Sequence, residues 1–278
     1  MEGSILGEPT LNQHDARPSL EDASLHGQTH KAILELEDGV RFEGKAFGAI
    51  QSISGEVVFA TGLVGYPESL TDPSYRGQLL TLTYPLVGNY GVPKRDPQNP
   101  IQEGFESSRI QAQALVVQRL SKDYSHWKSS QSLSDWLAYV GVPGIEGVDV
   151  RALTRHLRQF GTIKGRLLLE GSDNREQVLS EPCHDPGSYN VVAEVSCSEP
   201  ILHSCGKDGA PRVVLVDCGA KTSIIRCLHA RGAARSARAA RVRRARRAAR
   251  RRRALAAAGG RRRRRGGVAA AARRAGVR

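Results

Sequence analysis

Residues 55–93, GEVVFATGLVGYPESLTDPSYRGQLLTLTYPLVGNYGVP, decide how this 278-residue chain folds. Residues 56–61 (EVVFAT) are a β-branched and aromatic run of strand length, and residues 79–84 (LLTLTY) mostly alternate. Pro and Gly punctuate the gaps at Gly65-Tyr66-Pro67, Asp72-Pro73 and residues 88–93. Upstream, KAILELEDG from Lys31 followed by VRFEG predicts a hairpin of two short strands around Asp38-Gly39. Downstream, residues 114–117 form another short apolar run.

Two helices come next. Ser132 can cap LSDWLAYV, with Asp135 three residues on and Gly141 as the stop. Asp149 can cap VRALTRHLRQF, whose Val150, Leu153, Leu157 and Phe160 fall at helical spacing before Gly161. Residues 166–210 mix Pro, Ser, Asp and Gly around VVAEV and read as a connector with one strand. RVVLVD, residues 212–217, reads as a buried strand, turned at Cys218-Gly219 into a helix over residues 221–229 with Ile224, Ile225 and Leu228 on one face. That is the first βα unit of a parallel α/β domain, and it is left unfinished, because after Ala230 only Arg, Ala, Gly, Val, Ser and Leu occur.

Charge divides the chain at the same place. Its formal total of +13 averages two unlike parts: 21 basic against 28 acidic side chains before Arg231, and 20 arginines without one acid from there on. A nucleic-acid-binding role for the whole chain is excluded, and only the last 48 residues suit one. No run approaches the roughly 18–20 apolar residues of a membrane-spanning helix, so no membrane partner is expected. The first 30 residues carry Glu2, Glu8, Asp15, Glu21 and Asp22 with one arginine and no apolar h-region, unlike a signal or transit peptide. They read as a disordered leader. Five cysteines confined to residues 183–227 are odd in number and staple nothing before them, which fits a reduced, cytoplasmic protein.

Other constellations carry less. Cys183-His184 with Cys197 and Cys205 has spacings of 14 and 8, which fit no zinc finger, so no metal is expected. Cys218 and Cys227 read as small core residues, and His126 and His156 as ordinary polar positions. Gly88-Asn89-Tyr90-Gly91 is too short for a phosphate loop and lacks its lysine. The arginine tail has three readings: a polyanion-binding segment acting by counterion release, a solvated extension, or the product of GC-rich codons read out of frame. Arginine without lysine, and without interleaved aromatics for base stacking, favours the third.

The 55–93 stretch resembles the small, glutamine amidotransferase subunit of carbamoyl-phosphate synthetase and the same region at the amino end of multifunctional pyrimidine-synthesis proteins. LELEDG from Leu34, FESSRIQAQALVV from Phe105, GVPGIEGVDVRALTRHLR from Gly141 and VVLVDCGAKTSIIRCLHARG from Val213 extend the likeness over roughly residues 31–232. The resemblance implies an α/β protein: a disordered leader over 1–30, a swivelling β/β/α amino-terminal domain over 31–165, a connector over 166–210, a stub of a class I glutamine amidotransferase domain over 211–232, and an Arg/Ala low-complexity tail over 233–278. It also implies glutamine hydrolysis whose ammonia passes to a synthetase part that uses bicarbonate and two ATP. ATP and magnesium would belong to that part, the expected partner, leaving no cofactor in this chain.

Such hydrolysis needs a cysteine thiolate at a strand-to-helix elbow, activated by a histidine that a glutamate orients. The family's Gly-x-Cys-x-Gly is absent around all five cysteines, as are its later His-x-Glu and Asn-Gly-Pro-Gly-Asp signatures. No catalytic residue is therefore assigned, and this truncated chain is expected not to hydrolyse glutamine alone. The family's T-D-P-S-Y serine contacts glutamine, which by resemblance assigns Ser74 as substrate-binding, with very weak affinity in the absence of the other half of the pocket. Read by itself, Asp72-Pro73-Ser74 is a turn whose serine bonds its own backbone. Two other functions stand beside the glutaminase component: a non-catalytic docking domain for the synthetase, and a polyanion binder acting through the tail.

Overall fold

A tight reversal opens the chain in the computed structural model, which describes residues 30–204, 209 and 211–239. The expectations for the leader before His30, for Cys205 and for the chain beyond Ala239 lie outside the described residues. The elements run β1 (Lys31–Leu36), β2 (Arg41–Gly48), β3 (Ile53–Ala60), α1 (Tyr66–Thr71), β4 (Gln78–Leu82), β5 (Leu86–Val87), β6 (Val92–Pro93), β7 (Ala114–Val116), β8 (Arg119–Leu120), β9 (Ser129–Gln131) and α2 (Leu133–Tyr139). Then come β10 (Pro143–Glu146), α3 (Val150–Phe160), β11 (Ile163–Leu169), α4 (Arg175–Ser180), α5 (Val191–Val195), β12 (Ile201–His203), β13 (Arg212–Asp217), α6 (Thr222–Ala230) and β14 (Ala234–Ala239). The expected hairpin is β1–β2, reversed at Gly39 with φ of 87° and a hydrogen bond from Val40 N–H to Asp38 Oδ1. Among the described residues, no helix is long and apolar enough to cross a membrane.

Seven strands close into a barrel in the order β1-β11-β3-β4-β7-β10-β2. The pairs β3–β4, β4–β7 and β7–β10 are parallel and the others antiparallel. Because side chains alternate along a strand, the registers define one interior layer. It contains Leu34 and Leu36 of β1, Ile163 and Leu167 of β11, Val57 of β3, Leu79 of β4, Val116 of β7 and Ile145 of β10. α3 packs Val150, Leu153 and Leu157 against this layer. The outer faces of β4 and β7 are buried too: Leu80, Leu82 and Leu115 join a second cluster with Leu70 of α1 and Leu133, Trp136 and Leu137 of α2. Both predicted helix caps are in place, with Ser132 Oγ accepting from Asp135 N–H and Asp149 Oδ1 from Ala152 N–H. Phe160 is not a core residue. It sits in the last turn of α3, 59% exposed, against the His156 ring.

Four expectations are corrected. The boundary at residue 165 falls inside β11, which pairs on both sides through Leu169, so the barrel domain runs past it. VVAEV is helix α5 rather than a strand, because Asn190 caps it by accepting from Ala193 N–H. RVVLVD is a strand with one open face, Val214 and Val216 being 62% and 63% exposed. Finally, residues 234–239, expected in the low-complexity tail, form β14, which lies between β12 and β13 in a three-stranded sheet. It runs parallel to β13 across α6 and antiparallel to β12. Ladder pairing uses backbone N–H and C=O groups only, so an Arg/Ala/Ser sequence can supply it.

The turn that follows β13 is held by one carboxylate. Asp217 accepts from the N–H groups of Gly219 (2.9 Å), Ala220 (2.8 Å) and Cys197 (2.8 Å). Burial opposes its ionisation, but these donors outweigh burial and hold the carboxyl below the ordinary aspartate range. Closure of the barrel depends on small residues as well. A Cβ at Gly165 would lie 2.9 Å from the Glu35 carbonyl oxygen and 2.9 Å from Val57 Cγ2, and Gly165 faces Gly55 across the β11–β3 ladder.

Two outcomes follow. Gly165→Val lowers stability by about 1–3 kcal/mol, the range of overpacked cores, read as a fall in thermal midpoint. Asp217→Asn loosens the β13–α6 turn, and the loss depends on pH. With a native pKa below the unfolded one, the carboxylate's contribution is complete above the ordinary aspartate range and disappears as pH falls through the native value. The difference in urea midpoint between wild type and Asp217→Asn is therefore constant from neutral pH down to about 4 and shrinks below it.

Candidate functional site

The loop between α1 and β4 carries the one predicted site residue. Pro73–Tyr75 is a single 3₁₀ turn whose N-cap is Asp72, with Asp72 Oδ1 accepting the Ser74 N–H at 2.9 Å. The turn is thus held through the backbone of Ser74 by a neighbour's carboxylate. The Ser74 side chain is exposed, and its hydroxyl has no hydrogen-bond partner among the described residues. This geometry leaves the hydroxyl available to a ligand, on a loop whose backbone is fixed.

Asp72 also reaches the second unit. It is 8% exposed, and its Oδ2 accepts from Lys221 Nζ at 3.0 Å. That hydrogen bond, together with the charges of Asp72 and Glu106, raises the Lys221 pKa against the opposing effect of burial. Burial and the Asp72 charge raise Tyr75 as well. The turn after β13 comes close to the same loop: a Cβ at Gly219, whose φ is 92°, would lie 3.2 Å from Pro73 Cβ. Ser74 is therefore flanked by a proline packed near the Gly219-Ala220 turn and by an aspartate tied to Lys221. The sequence reading missed Asp72 and Lys221, which are 149 residues apart. The only local signal was an Asp-Pro pair, which marks a turn and says nothing of its distant partner.

None of the described cysteines has the surroundings of a nucleophile. Cys218 and Cys227 are exposed rather than core residues. The open face of β13 leaves the first at a solvent-facing turn, and Ile225 is the buried residue of the second's helix. Neither hydrogen-bonds a histidine among the described residues, so no base is in place to take a thiol proton. Cys197 gives both its N–H and its thiol to Asp217. Burial pushes the Cys183 thiol up, away from the thiolate, and the neighbouring His184 is engaged with Tyr189 Oη at 3.1 Å. His156 pairs with Asp38 Oδ2 at 2.5 Å on the far side of the hairpin turn. Among the described residues, no group of three His, Cys, Asp or Glu could hold a metal ion.

A cleft of about 1130 Å³ opens between the start of α1, the segment around His126 and helix α6. Glu68, Tyr90, His126, Lys128, Arg226 and His229 are among its lining residues. Tyr90 stacks on Tyr66 with ring centroids 4.2 Å apart, and its hydroxyl accepts from the N–H groups of Gly65 and Tyr66. Burial raises the pKa of both phenols. Leu63, Val64 and Trp127 are all strongly exposed, with Val64 on the cleft wall and Trp127 stacked on His126.

The likeness to known proteins covers more of the chain than the barrel. Multifunctional protein CAD of Squalus acanthias is 47% identical over 204 residues, covering 73% of this chain and 9% of its own length. The arginine-specific carbamoyl phosphate synthase small chain of Aspergillus niger is 45% identical over 206 residues, 74% of this chain and 45% of its own. Multifunctional protein pyrABCN of Emericella nidulans is 46% identical over 234 residues, 75% of this chain and 10% of its own. This chain thus spans less than half the length of each. Among solved structures, an aminopeptidase from Aneurinibacillus sp. strain AM-1 covers 52% of the chain at 14% identity and a TM-score of 0.30, too low to bear on fold or function. Residues 34–167 match the family model of the carbamoyl-phosphate synthase small chain, CPSase domain, and this part of the chain is a carbamoyl-phosphate synthase small-chain domain.

Proposed function

We propose that the chain is part of the glutaminase component of glutamine-dependent carbamoyl-phosphate synthase, contributing the barrel-side wall of the glutamine site. The observation that carries this reading is the free, exposed hydroxyl of Ser74 on a turn fixed by Asp72. A hydroxyl there can donate to a substrate oxygen or accept from its amide. The synthetase part, a large subunit or a further segment, takes bicarbonate and ATP with magnesium and receives the ammonia, in cytoplasmic pyrimidine or arginine synthesis. Names of relatives support both pathways, two being multifunctional proteins and one arginine-specific.

These 278 residues do not themselves hydrolyse glutamine. A thiolate must attack the amide carbon, and the leaving ammonia needs a proton that a nearby histidine can supply. No described cysteine has such a neighbour. Cys218, although at a strand-to-helix turn, has Val216 two residues before it and Ala220 two after, where an elbow demands glycine.

A second reading is docking without ammonia delivery. The exposed Trp127 favours it, since Trp is enriched among the residues that anchor interfaces. Binding through the arginine tail is a third reading, tested by its salt dependence.

Three outcomes are expected. The purified chain releases no glutamate from glutamine above the buffer rate; release that disappears in Cys218→Ala would overturn the missing-nucleophile reading. Glutamine at millimolar concentration perturbs the amide resonances of residues 72–76, and Ser74→Ala weakens that binding about five- to ten-fold, the worth of one hydrogen bond. Unchanged affinity in Ser74→Ala counts against the assignment. For docking, Trp127→Ala weakens capture of a purified synthetase subunit at least ten-fold, as loss of an aromatic anchor does, while the thermal midpoint stays put.

A further inference from the structure

Helix α6 starts without a cap of its own. Its N-cap residue is Lys221, whose side chain makes no capping bond, and its first turn contains no acid. The first N–H groups of a helix have no partner within it, and here they find one on the barrel domain. The Glu106 carbonyl oxygen accepts from Thr222 N–H at 2.9 Å, and Glu106 Oε2 accepts from Ser223 N–H at 2.8 Å. The Thr222 hydroxyl donates to the Phe105 carbonyl at 2.6 Å. One turn later Arg226 returns to the same loop, with Nη1 on the carbonyls of Gln102 (2.8 Å) and Phe105 (3.0 Å) and Nη2 on Glu106 Oε1 (3.2 Å).

On its other side Glu106 is tied to the loop of Ser74. Its N–H donates to Thr71 Oγ1 at 2.8 Å, and Ser107 Oγ donates to the Thr71 carbonyl at 2.6 Å. Thr71 directly precedes Asp72, whose two oxygens hold the Ser74 N–H and Lys221 Nζ. Thr71 is fully buried and Glu106 only 6% exposed. A carboxylate is kept inside a protein when it is paired and hydrogen-bonded, and the N-terminal end of a helix favours negative charge. Both Glu106 oxygens are engaged by α6, which defines its part as positioning.

We propose that Glu106 is a positioning residue that caps α6 from the barrel domain and thereby seats the β13–α6 unit against the loop carrying Ser74. The relevance of that seat to glutamine rests on the function proposed above. The cap itself does not.

Hydrogen–deuterium exchange of the full chain tests it, with β1 and β11 as the internal reference. In Glu106→Ala, amides of residues 222–226 and of residues 71–76 exchange about ten-fold faster or more, the effect of losing a cap and its ion pair, while β1 and β11 are unchanged. In Glu106→Gln the amide oxygen still accepts from Ser223 and Arg226 keeps its carbonyl acceptors, so most of the protection returns. Three results would overturn the proposal: exchange of α6 within about two-fold of wild type in Glu106→Ala, no recovery in Glu106→Gln, or equal acceleration of β1 and β11, which marks general destabilisation. Adding glutamine separates the two ideas. Failure of glutamine to slow exchange at residues 71–76 of wild type counts against the glutamine reading alone, since the comparison of variants contains no glutamine.

Discussion

Hydrogen bonds between β1 and β11 join strands more than 120 residues apart and close the barrel, and every functional loop is placed by that closure. Within the ring β3, β4 and β7 run parallel, which places the start of β4 and the start of β7 at one end of the barrel. The connection leading into β4 carries Asp72 and Ser74, and the connection leading into β7 carries Glu106. Their neighbourhood is enforced by backbone bonds from Gln111 and Ala112 to the Leu70 carbonyl and from Gln113 to the Gln78 carbonyl. These bonds join the lead-in segments of two adjacent parallel strands.

The second unit is held in a different way. An ordinary parallel α/β layer buries apolar faces on both sides of its strands, yet β13 leaves Val214 and Val216 in solvent. What ties α6 to the barrel is mostly polar: Lys221 on Asp72, Ser223 and Arg226 on Glu106, Thr222 on Phe105. Apolar contact tolerates sliding, whereas hydrogen bonds fix distance and direction. A junction built from directional bonds fixes the β13–α6 unit in register with the loop carrying Ser74.

Much of this was legible locally. The Asp38-Gly39 reversal, the caps at Ser132 and Asp149 and the stop at Gly161 each depend on a few neighbouring residues, and each stands where the sequence put it. Burial of Val150, Leu153 and Leu157 followed from helical spacing, while Phe160 fell outside because the last turn of α3 clears the core. What was illegible is long-range. Nothing in IKGRLLL says that it closes a barrel rather than starting a connector. Nor does the run of valines in VVAEV show that Asn190 will cap it into a helix. The strand at residues 234–239 is invisible to periodicity, because its ladder is made by the backbone alone.

The same distinction separates the turn at Ser74, which its own residues announce, from the distant groups that hold it. A turn residue can be recognised within its own five residues, and the T-D-P-S-Y stretch carries that signal entire. Asp72 reads as punctuation in that stretch, although in the fold one of its oxygens fixes the Ser74 backbone and the other holds Lys221. Glu106 reads as one acid among 28. Its meaning lies in what it meets: a helix start without a cap, an arginine one turn further on, and a buried threonine that leads into the Ser74 loop. A residue that makes a turn depends on its immediate neighbours, and that dependence leaves a local pattern. A side chain that holds two pieces of protein together must match only them, so its pattern is divided between distant segments and becomes visible when the fold brings them into contact.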